Sequence, residues 1–428
     1  MSKTYGFETL SIHAGAGPDP ATGARALPIY QSTAYAFDDA DHAAALFNLQ
    51  TVGFIYSRLT NPTNAALETR LATLEGGRGC TVTASGHSAQ VLALFPLMRP
   101  GDEVVASSRL YGGSLQQMRN TYPKFGWKAH IVDADTPDNF KRALTDTTKA
   151  FFIESLANPG GVISDLEAIA RIADDAGVPL IVDNTMATPW LCKPIDYGAT
   201  LIIHSTTKFL SGTGTSMGGA VVDSGKFDWA KGGKFPSLAG PEPAYHGLNF
   251  FESFGDMAYT FHSHAVGLRD LGPTQAPMNA WLTMLGMETL GLRMERHCAN
   301  AMKVAQWLEK HPSVAWVNYA GLPSNKYNAL ARKYLPKGAG SIFTFGVKGG
   351  YEVGMKVVDS VDLFSHVANI GDAKSLIIHP ASTTHRQLTD EQRVAAGAGP
   401  DVIRLSIGIE TVEDIIADLE QALAKATA

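Results

Sequence analysis

The sequence predicts an α/β protein, with a mostly parallel sheet in a large domain and a smaller α+β domain on its C-terminal side. Three observations carry this reading. Short β-rich runs alternate with helical segments over residues 63–265. Near residue 266 the alternation gives way to a helical stretch, roughly 277–311. Short strands and a final helix then close the chain. A length of 428 residues suits two or three domains of about 100–200 residues each.

Taken in order, residues 1–62 read as an irregular arm, because Gly15, Gly17, Pro18, Pro20, Gly23, Pro28 and Pro62 interrupt any long periodic segment. An arm without a core of its own must lie on something else. In the large domain, residues 63–265, the β-rich runs are EVVAS at 103–107, KAFFIESL at 149–156, PLIVD at 179–183 and ATLIIHS at 199–205. Between two of them, SDLEAIARIADDAG places Ser164 and Glu167 at capping-box spacing and Leu166, Ile169, Ala170 and Ala173 on one face, with Gly177 as its stop. That is a βαβ unit, so its strands should be parallel with a right-handed crossover. Ligands of such sheets sit at the carboxyl ends of the strands. In the small domain, residues 266–428, Met294, Cys298, Ala301, Ala305 and Leu308 form one apolar stripe. SIFTFGV reads as a strand and TVEDIIADLEQALAKA as the last helix.

A net charge of -6 gives no reason to expect nucleic acid or an anionic membrane as partner. Cys80, Cys192 and Cys298 form neither a C-x-x-C pair nor a disulfide framework, which suits reduced thiols and a cytoplasmic setting. The start, MSKTYGFETLSIHAG, has no apolar stretch of secretory-signal type, and no run approaches a membrane span. No metal is expected.

The chemistry gathers at strand ends. In LIIHSTTKFLSGTG, residues 201–214, Lys208 follows an apolar strand directly. A strand-end lysine alone is ordinarily a snorkelling side chain, but burial beside a reacting group turns it into a nucleophile or base. Asp183 closes PLIVD, where a carboxylate is costly to bury without a partner, although turn aspartates also stand there. In TVTASGHSAQVLALF a strand runs through Ser85, Gly86 and His87 into a helix, whose first N–H groups make an anion site. Tyr111 of YGGS follows EVVAS and could stack on a flat ligand or simply pack. A lysine, a carboxylate, a phosphate cradle and an aromatic plate on one sheet edge together suit pyridoxal 5'-phosphate (PLP).

YSRLTNPT at 56–63, ESLANPGG at 154–161, VDNTMATP at 182–189, HSTTKFLSGTG at 204–214 and IRLSIGIE at 403–410 stand in the order of a known family. The chain resembles, over essentially its whole length, the PLP enzymes of cysteine and methionine metabolism with the aspartate-aminotransferase-like fold (fold type I). The resemblance implies that Lys208 holds the cofactor covalently and that Asp183 pairs with its ring nitrogen. It implies that Tyr111 stacks on the ring and Asn158 bonds its phenolic oxygen. Gly86, His87, Ser205 and Thr207 would hold the phosphate, with Tyr56 and Arg58 reaching it from a neighbouring subunit. His87 stands where the family often has methionine, a change expected to matter little if the contact is through backbone. Arg404 would bind the substrate carboxylate bidentately, as guanidinium geometry allows, with Asn369 beside it; a structural ion pair is the alternative role for Arg404.

Within the family, GDAKSLIIHPASTTH at 371–385 and GPEPAYHGLNF at 240–250 are most similar to members that exchange the acyl group of O-acetylhomoserine for sulfide or a thiol. That resemblance implies γ-replacement yielding homocysteine, with Lys208 as base, Tyr56 and Tyr111 as candidates for proton traffic, and a homo-oligomer, a tetramer built from dimers with shared sites. Methionine γ-lyases carry a cysteine shortly after the stacking tyrosine, where this chain has Gly112-Gly113-Ser114. Cystathionine-processing enzymes usually have a glutamate near the position of Lys374. O-succinylhomoserine stays open as substrate, and a cofactor-free scaffold is the alternative from another class.

Overall fold

The computed structural model describes residues 5–427 apart from Gly160, His385, Gln387, Leu388, Asp390, Gln392 and residues 394–396. Gly160 of ESLANPGG and His385 at the end of GDAKSLIIHPASTTH therefore lie outside the described residues, as do residues 1–4 and Ala428.

Nine strands belong to the first half of the chain: β1 (Gly79–Thr83), β2 (Glu103–Ser107), β3 (Lys128–Val132), β4 (Thr148–Glu154), the two-residue β5 (Leu156–Ala157) and β6 (Val162–Ile163), β7 (Leu180–Asp183), β8 (Leu201–His204) and β9 (Gly219–Asp223). Seven of them form one sheet in the order β1-β9-β8-β7-β4-β2-β3. Strands β3, β2, β4, β7 and β8 are mutually parallel, while β9 runs against both of its neighbours.

The apolar runs are continuous because both faces are covered. Val105, Phe151, Ile153, Val182, Ile202 and Val222 point into one core. Their neighbours Val104, Phe152, Ile181, Ile203 and Val221 point into the other. With an alternation of two along each strand, every residue meets a core on one side or the other. Burying that surface at roughly 25 cal/mol per Å² is the main drive to fold.

Between β6 and β7 the helix Leu166–Asp175 buries Leu166, Ile169, Ala170 and Ala173. Its cap differs from the expected one: Asp165 accepts from Ala168 N at 3.3 Å, while Ser164 Oγ donates to the Glu154 carbonyl at 2.8 Å. Ser164 is drawn to the strand end, so the next residue takes over the orphan N–H groups. Gly177, at φ +63°, follows the helix as foreseen.

The arm is less irregular than its glycines and prolines suggest, with helices at Phe7–His13 and Ala40–Phe47. Its beginning lies on its own chain. Arg70, fully buried, donates to the carbonyls of Ile12 and Ala14, both at 2.9 Å, and to Met284 at 3.1 Å. Asn61 closes the arm: its Nδ2 reaches the Tyr30 carbonyl at 2.8 Å, and its Oδ1 caps the helix Pro62–Glu75 through Thr63 N at 2.9 Å. Between them the arm leaves Phe47, Val52, Phe54 and Tyr56 exposed.

A two-residue ribbon, β10 (Pro241–Glu242) with β11 (Leu248–Asn249), is built from the GPEPAYHGLNF motif. The helical stretch that follows is two helices, Pro277–Glu288 and Leu290–Leu308, parted at Thr289. The second buries Met294, Cys298, Ala301, Ala305 and Leu308, the stripe read from the sequence. A second sheet, β12 (Val314–Asn318), β13 (Ile342–Val347), β14 (Ser365–His366), β15 (Leu376–Ile378) and β16 (Val402–Ser406), has the order β12-β13-β16-β15-β14. All its pairs are antiparallel except β14 with β15. The helix Val412–Thr427 ends the described chain. Among the described residues, no helix is long and apolar enough to cross a membrane.

Candidate active site

Parallel strands bring their carboxyl ends to one edge, and Asp183, Lys208, Tyr111 and Asn158 arrive there for that reason. Asp183 ends β7 in register with Ile203 of β8, so Lys208 begins its turn beside Asp183. That turn is fixed from behind. Arg293, from the helix Leu290–Leu308, donates to the carbonyls of Phe209 at 2.8 Å and Gly286 at 2.7 Å. Gly212 passes so close that a Cβ there would stand 2.1 Å from Arg293 Nη1. The residue after Lys208 thus cannot drift.

The Lys208 amine donates to Asn369 Oδ1 at 2.5 Å. Arg404 Nη2 donates to the Asn369 carbonyl at 3.0 Å, and its Nη1 to Asn158 Oδ1 at 3.3 Å. Asn369, in the loop between β14 and β15, and Arg404, in β16, are thereby brought from the second sheet onto the edge of the first. Burial, then the nearby Arg404 charge, pulls the Lys208 amine down to about 8. Burial likewise lowers Arg404 to about 10. Arg404 has no carboxylate partner among the described residues, so the structural ion pair is not what holds it.

Asp183 accepts from Thr185 N at 3.0 Å and from Gln90 Nε2 at 3.5 Å. Among the described residues no side-chain cation reaches it within ion-pair distance. Loss of water around it raises its carboxyl above the usual range. Glu154, only 4% exposed, faces Asp183 in register from the end of β4. Its Oε1 accepts from Tyr111 N at 2.5 Å and its Oε2 from Asn158 N at 3.0 Å. Burial, and then the charge of Asp183, pushes the Glu154 carboxyl well up.

Ser85 and Ser88 form a reciprocal capping box at the start of the helix Gly86–Leu94. Gly86 leans on Ser205, where an added Cβ would meet the Ser205 Cβ at 2.8 Å. Thr185 Oγ1 accepts from Ser205 N at 2.8 Å, and Thr207 Oγ1 from Gly218 N at 3.0 Å. Gly86 and Ser205 thus meet at a helix mouth kept open by the missing side chain, with Thr207 two residues further along the same turn. The His87 ring stacks on Tyr111 at 5.8 Å between centroids, tilted 28°. Its side chain therefore packs at the site edge, while the expected phosphate contact concerns its backbone N–H. Gly113 lies beneath both rings, since a Cβ there would come within 2.5 Å of Tyr111 and 2.8 Å of His87.

Tyr56 and Arg58 stand apart. The Arg58 guanidinium lies 5.5 Å over the Tyr56 ring, and the Arg58 carbonyl accepts from Thr274 Oγ1 at 2.6 Å. Among the described residues nothing bonds either side chain to the Lys208 group within this chain. Sequence reasoning overlooked Glu154, Gln90 and Arg293. Glu154 carries the same signal as Asp183, a carboxylate closing a buried apolar strand. Gln90 and Arg293 act across more than eighty residues and leave no local mark.

PLP suits this arrangement on three counts: an amine already near neutrality, a carboxylate awaiting a cation, and an open helix mouth whose N–H groups suit a dianion. Among the described residues no cluster of three metal-ligating side chains occurs.

The family model described as Cys/Met metabolism PLP-dependent enzyme matches residues 8–424. An O-acetyl-L-homoserine sulfhydrylase of Leptospira meyeri is 50% identical, over 99% of this chain and 98% of the relative. A homocysteine synthase of Schizosaccharomyces pombe is 49% identical, over 97% of this chain and 98% of the relative. A crystal structure of an O-acetylhomoserine (thiol)-lyase from Campylobacter jejuni superposes with a TM-score of 0.95 at 43% identity, covering 98% of this chain and 100% of that one. It carries N'-pyridoxyl-lysine-5'-monophosphate.

The depressed amine has a direct readout. In cofactor-free protein, reductive methylation of Lys208 should rise through a midpoint near pH 8, ahead of the exposed lysines at about 10.5. Arg404→Leu removes a repelling charge and should move that midpoint upward. Methylation of Lys208 in step with the bulk lysines would contradict the assignment.

Proposed function

The chain belongs to the Cys/Met metabolism PLP-dependent enzymes, and on that premise we propose that it carries out γ-replacement on O-acetyl-L-homoserine. Sulfide gives L-homocysteine and acetate; methanethiol gives methionine. The observation that carries this reading is the joined group of Lys208, Asn369 and Arg404, a nearly neutral amine held beside a buried guanidinium. The relatives' names supply the substrate.

Bound PLP would supply an electron sink for carbanions adjacent to the substrate amine. The residues that would hold it are Lys208 covalently, Asp183 at the ring nitrogen, Tyr111 against the ring face, Asn158 through its NH2, and Gly86, His87, Ser205 and Thr207 around the phosphate. The Asn158 oxygen is already taken by Arg404, which leaves the NH2 as its free donor. Asp183 keeps a positive charge opposite it, the reason a carboxylate is needed there. Arg404 takes the substrate carboxylate on its paired N–H groups and so aims the α-carbon at Lys208.

Lys208 removes the α-proton and later returns one, a task for which a pKa near the working pH is best. A second proton must leave the β-carbon before acetate departs from the γ-carbon. Tyr56 and Tyr111 are the hydroxyls proposed for that traffic. Sulfide then adds at the γ-carbon.

Plain elimination is the lesser reading. The lyases' cysteine has no counterpart in Gly112-Gly113-Ser114, and a Cβ at Gly113 would crowd the Tyr111 and His87 rings. With O-acetylhomoserine and saturating sulfide, homocysteine should be the main product and 2-oxobutyrate with ammonia minor. A majority of 2-oxobutyrate would make the protein a lyase.

We also infer a cytoplasmic homo-oligomer, a tetramer built of dimers that share sites. The three cysteines are unpaired and buried, which suits a reducing compartment. Tyr56 and Arg58 have no work near the Lys208 of their own chain, and the arm around them leaves Phe47, Val52 and Phe54 in water. Such an apolar stretch is expected to be covered by a second copy, which would bring Arg58 to the partner's phosphate. Mixing inactive Arg58→Ala with inactive Lys208→Ala should then restore activity, since hybrids contain one intact site. No recovery after verified subunit exchange would mean that the arm serves only its own chain.

A further inference from the structure

Glu154 is used by none of the steps above, yet it is a buried carboxylate in the middle of the site. It ends β4 and is 4% exposed. Both of its oxygens are engaged by backbone donors from two separate loops, Tyr111 N at 2.5 Å and Asn158 N at 3.0 Å. Hydrogen bonds to a charged acceptor are about twice as strong as neutral ones.

The strands behind those loops, β2 and β4, are paired, but past the strand ends Glu154 is the side chain that bonds both Tyr111 N and Asn158 N. Tyr111 is 47% exposed, and its ring rests on His87. Asn158 sits near the short β5–β6 ribbon, its side chain drawn towards Arg404. We propose that Glu154 is a positioning residue for the reaction, a single carboxylate that clamps the Tyr111 and Asn158 backbones together so that the aromatic plate and the amide keep one spacing. The inference rests on the reading that this site takes PLP, and deepens it.

The choice of residue follows from the geometry. The two N–H groups reach different oxygens of the side chain, so both of its terminal atoms must accept. Glutamine offers one oxygen and an NH2, which would face one of those N–H groups donor to donor. Aspartate keeps both oxygens but is shorter by one carbon, about 1.5 Å. Burial and Asp183 push the Glu154 carboxyl up, and the two backbone donors on its oxygens act against that shift. Ordinary structural support would need only the loops folded, not their mutual spacing.

The test uses the full chain, freed of cofactor and titrated with pyridoxal 5'-phosphate. Glu154→Gln should weaken cofactor binding about 10- to 100-fold, the loss of one charge-assisted hydrogen bond. The induced circular dichroism of the bound cofactor should fall, with the melting temperature of the cofactor-free protein little changed. Glu154→Asp should behave in the same way and stands in if the glutamine variant does not fold. In the unaltered protein the Tyr111 and Asn158 amides should resist hydrogen exchange. Free exchange there, or a folded variant with unchanged affinity and dichroism, overturns the clamp. Unaltered protein that takes no cofactor sinks the functional reading, and this inference with it.

Discussion

Two carboxylates meet at the carboxyl edge of the large sheet, and much of the site is arranged to make that tolerable. Glu154 and Asp183 stand in register on neighbouring parallel strands, where strand spacing is about 4.8 Å. Like charges that close, out of water, repel strongly. Each therefore collects donors: two backbone amides on Glu154, and Thr185 N with Gln90 on Asp183. Gln90 is itself steadied by Ser114 at 2.8 Å. What Asp183 still lacks is a cation, and the position of that deficit defines where a ligand's positive group belongs.

The same loss of water acts in the opposite sense on Lys208. It raises the carboxyls and lowers the amine, and Arg404 adds to the second effect. An amine held near neutral pH is what proton transfer by Lys208 requires. Arg404 lies in the second sheet and Asn369 in a loop beside it, so the amine is tuned by a part of the chain remote in sequence, although that part shares a core with one face of the first sheet. The hydrogen bonds from Lys208 to Asn369 and from Arg404 to Asn158 tie the two parts at the point where chemistry would occur.

Much of this was legible in the sequence, for reasons that can be named. Strand ends carrying Asp183 and Lys208 were visible because a charged residue after an apolar run is rare and has few explanations. The turn through Ser85, Gly86 and His87 into a helix and the stripe on Leu290–Leu308 follow from local pattern. The reversed β9 did not, since direction within a sheet depends on the connection and not on the strand. The two helices of the arm were hidden by flanking glycines and prolines, which end helices as readily as they prevent them. The hold of Arg70 on the Ile12 and Ala14 carbonyls leaves no trace in any sequence window. The packing of the His87 ring on Tyr111 was not foreseen either; what a side chain touches across loops is not written in its neighbours.

The account stands or falls on Lys208 as the residue that joins the cofactor. Protein reconstituted with pyridoxal 5'-phosphate and reduced with borohydride should yield one stable pyridoxyl adduct, recovered by digestion and mass spectrometry in the peptide that contains Lys208. Lys208→Ala should keep its fold and lose that adduct. An adduct on another lysine, or one that persists in Lys208→Ala, would contradict the account.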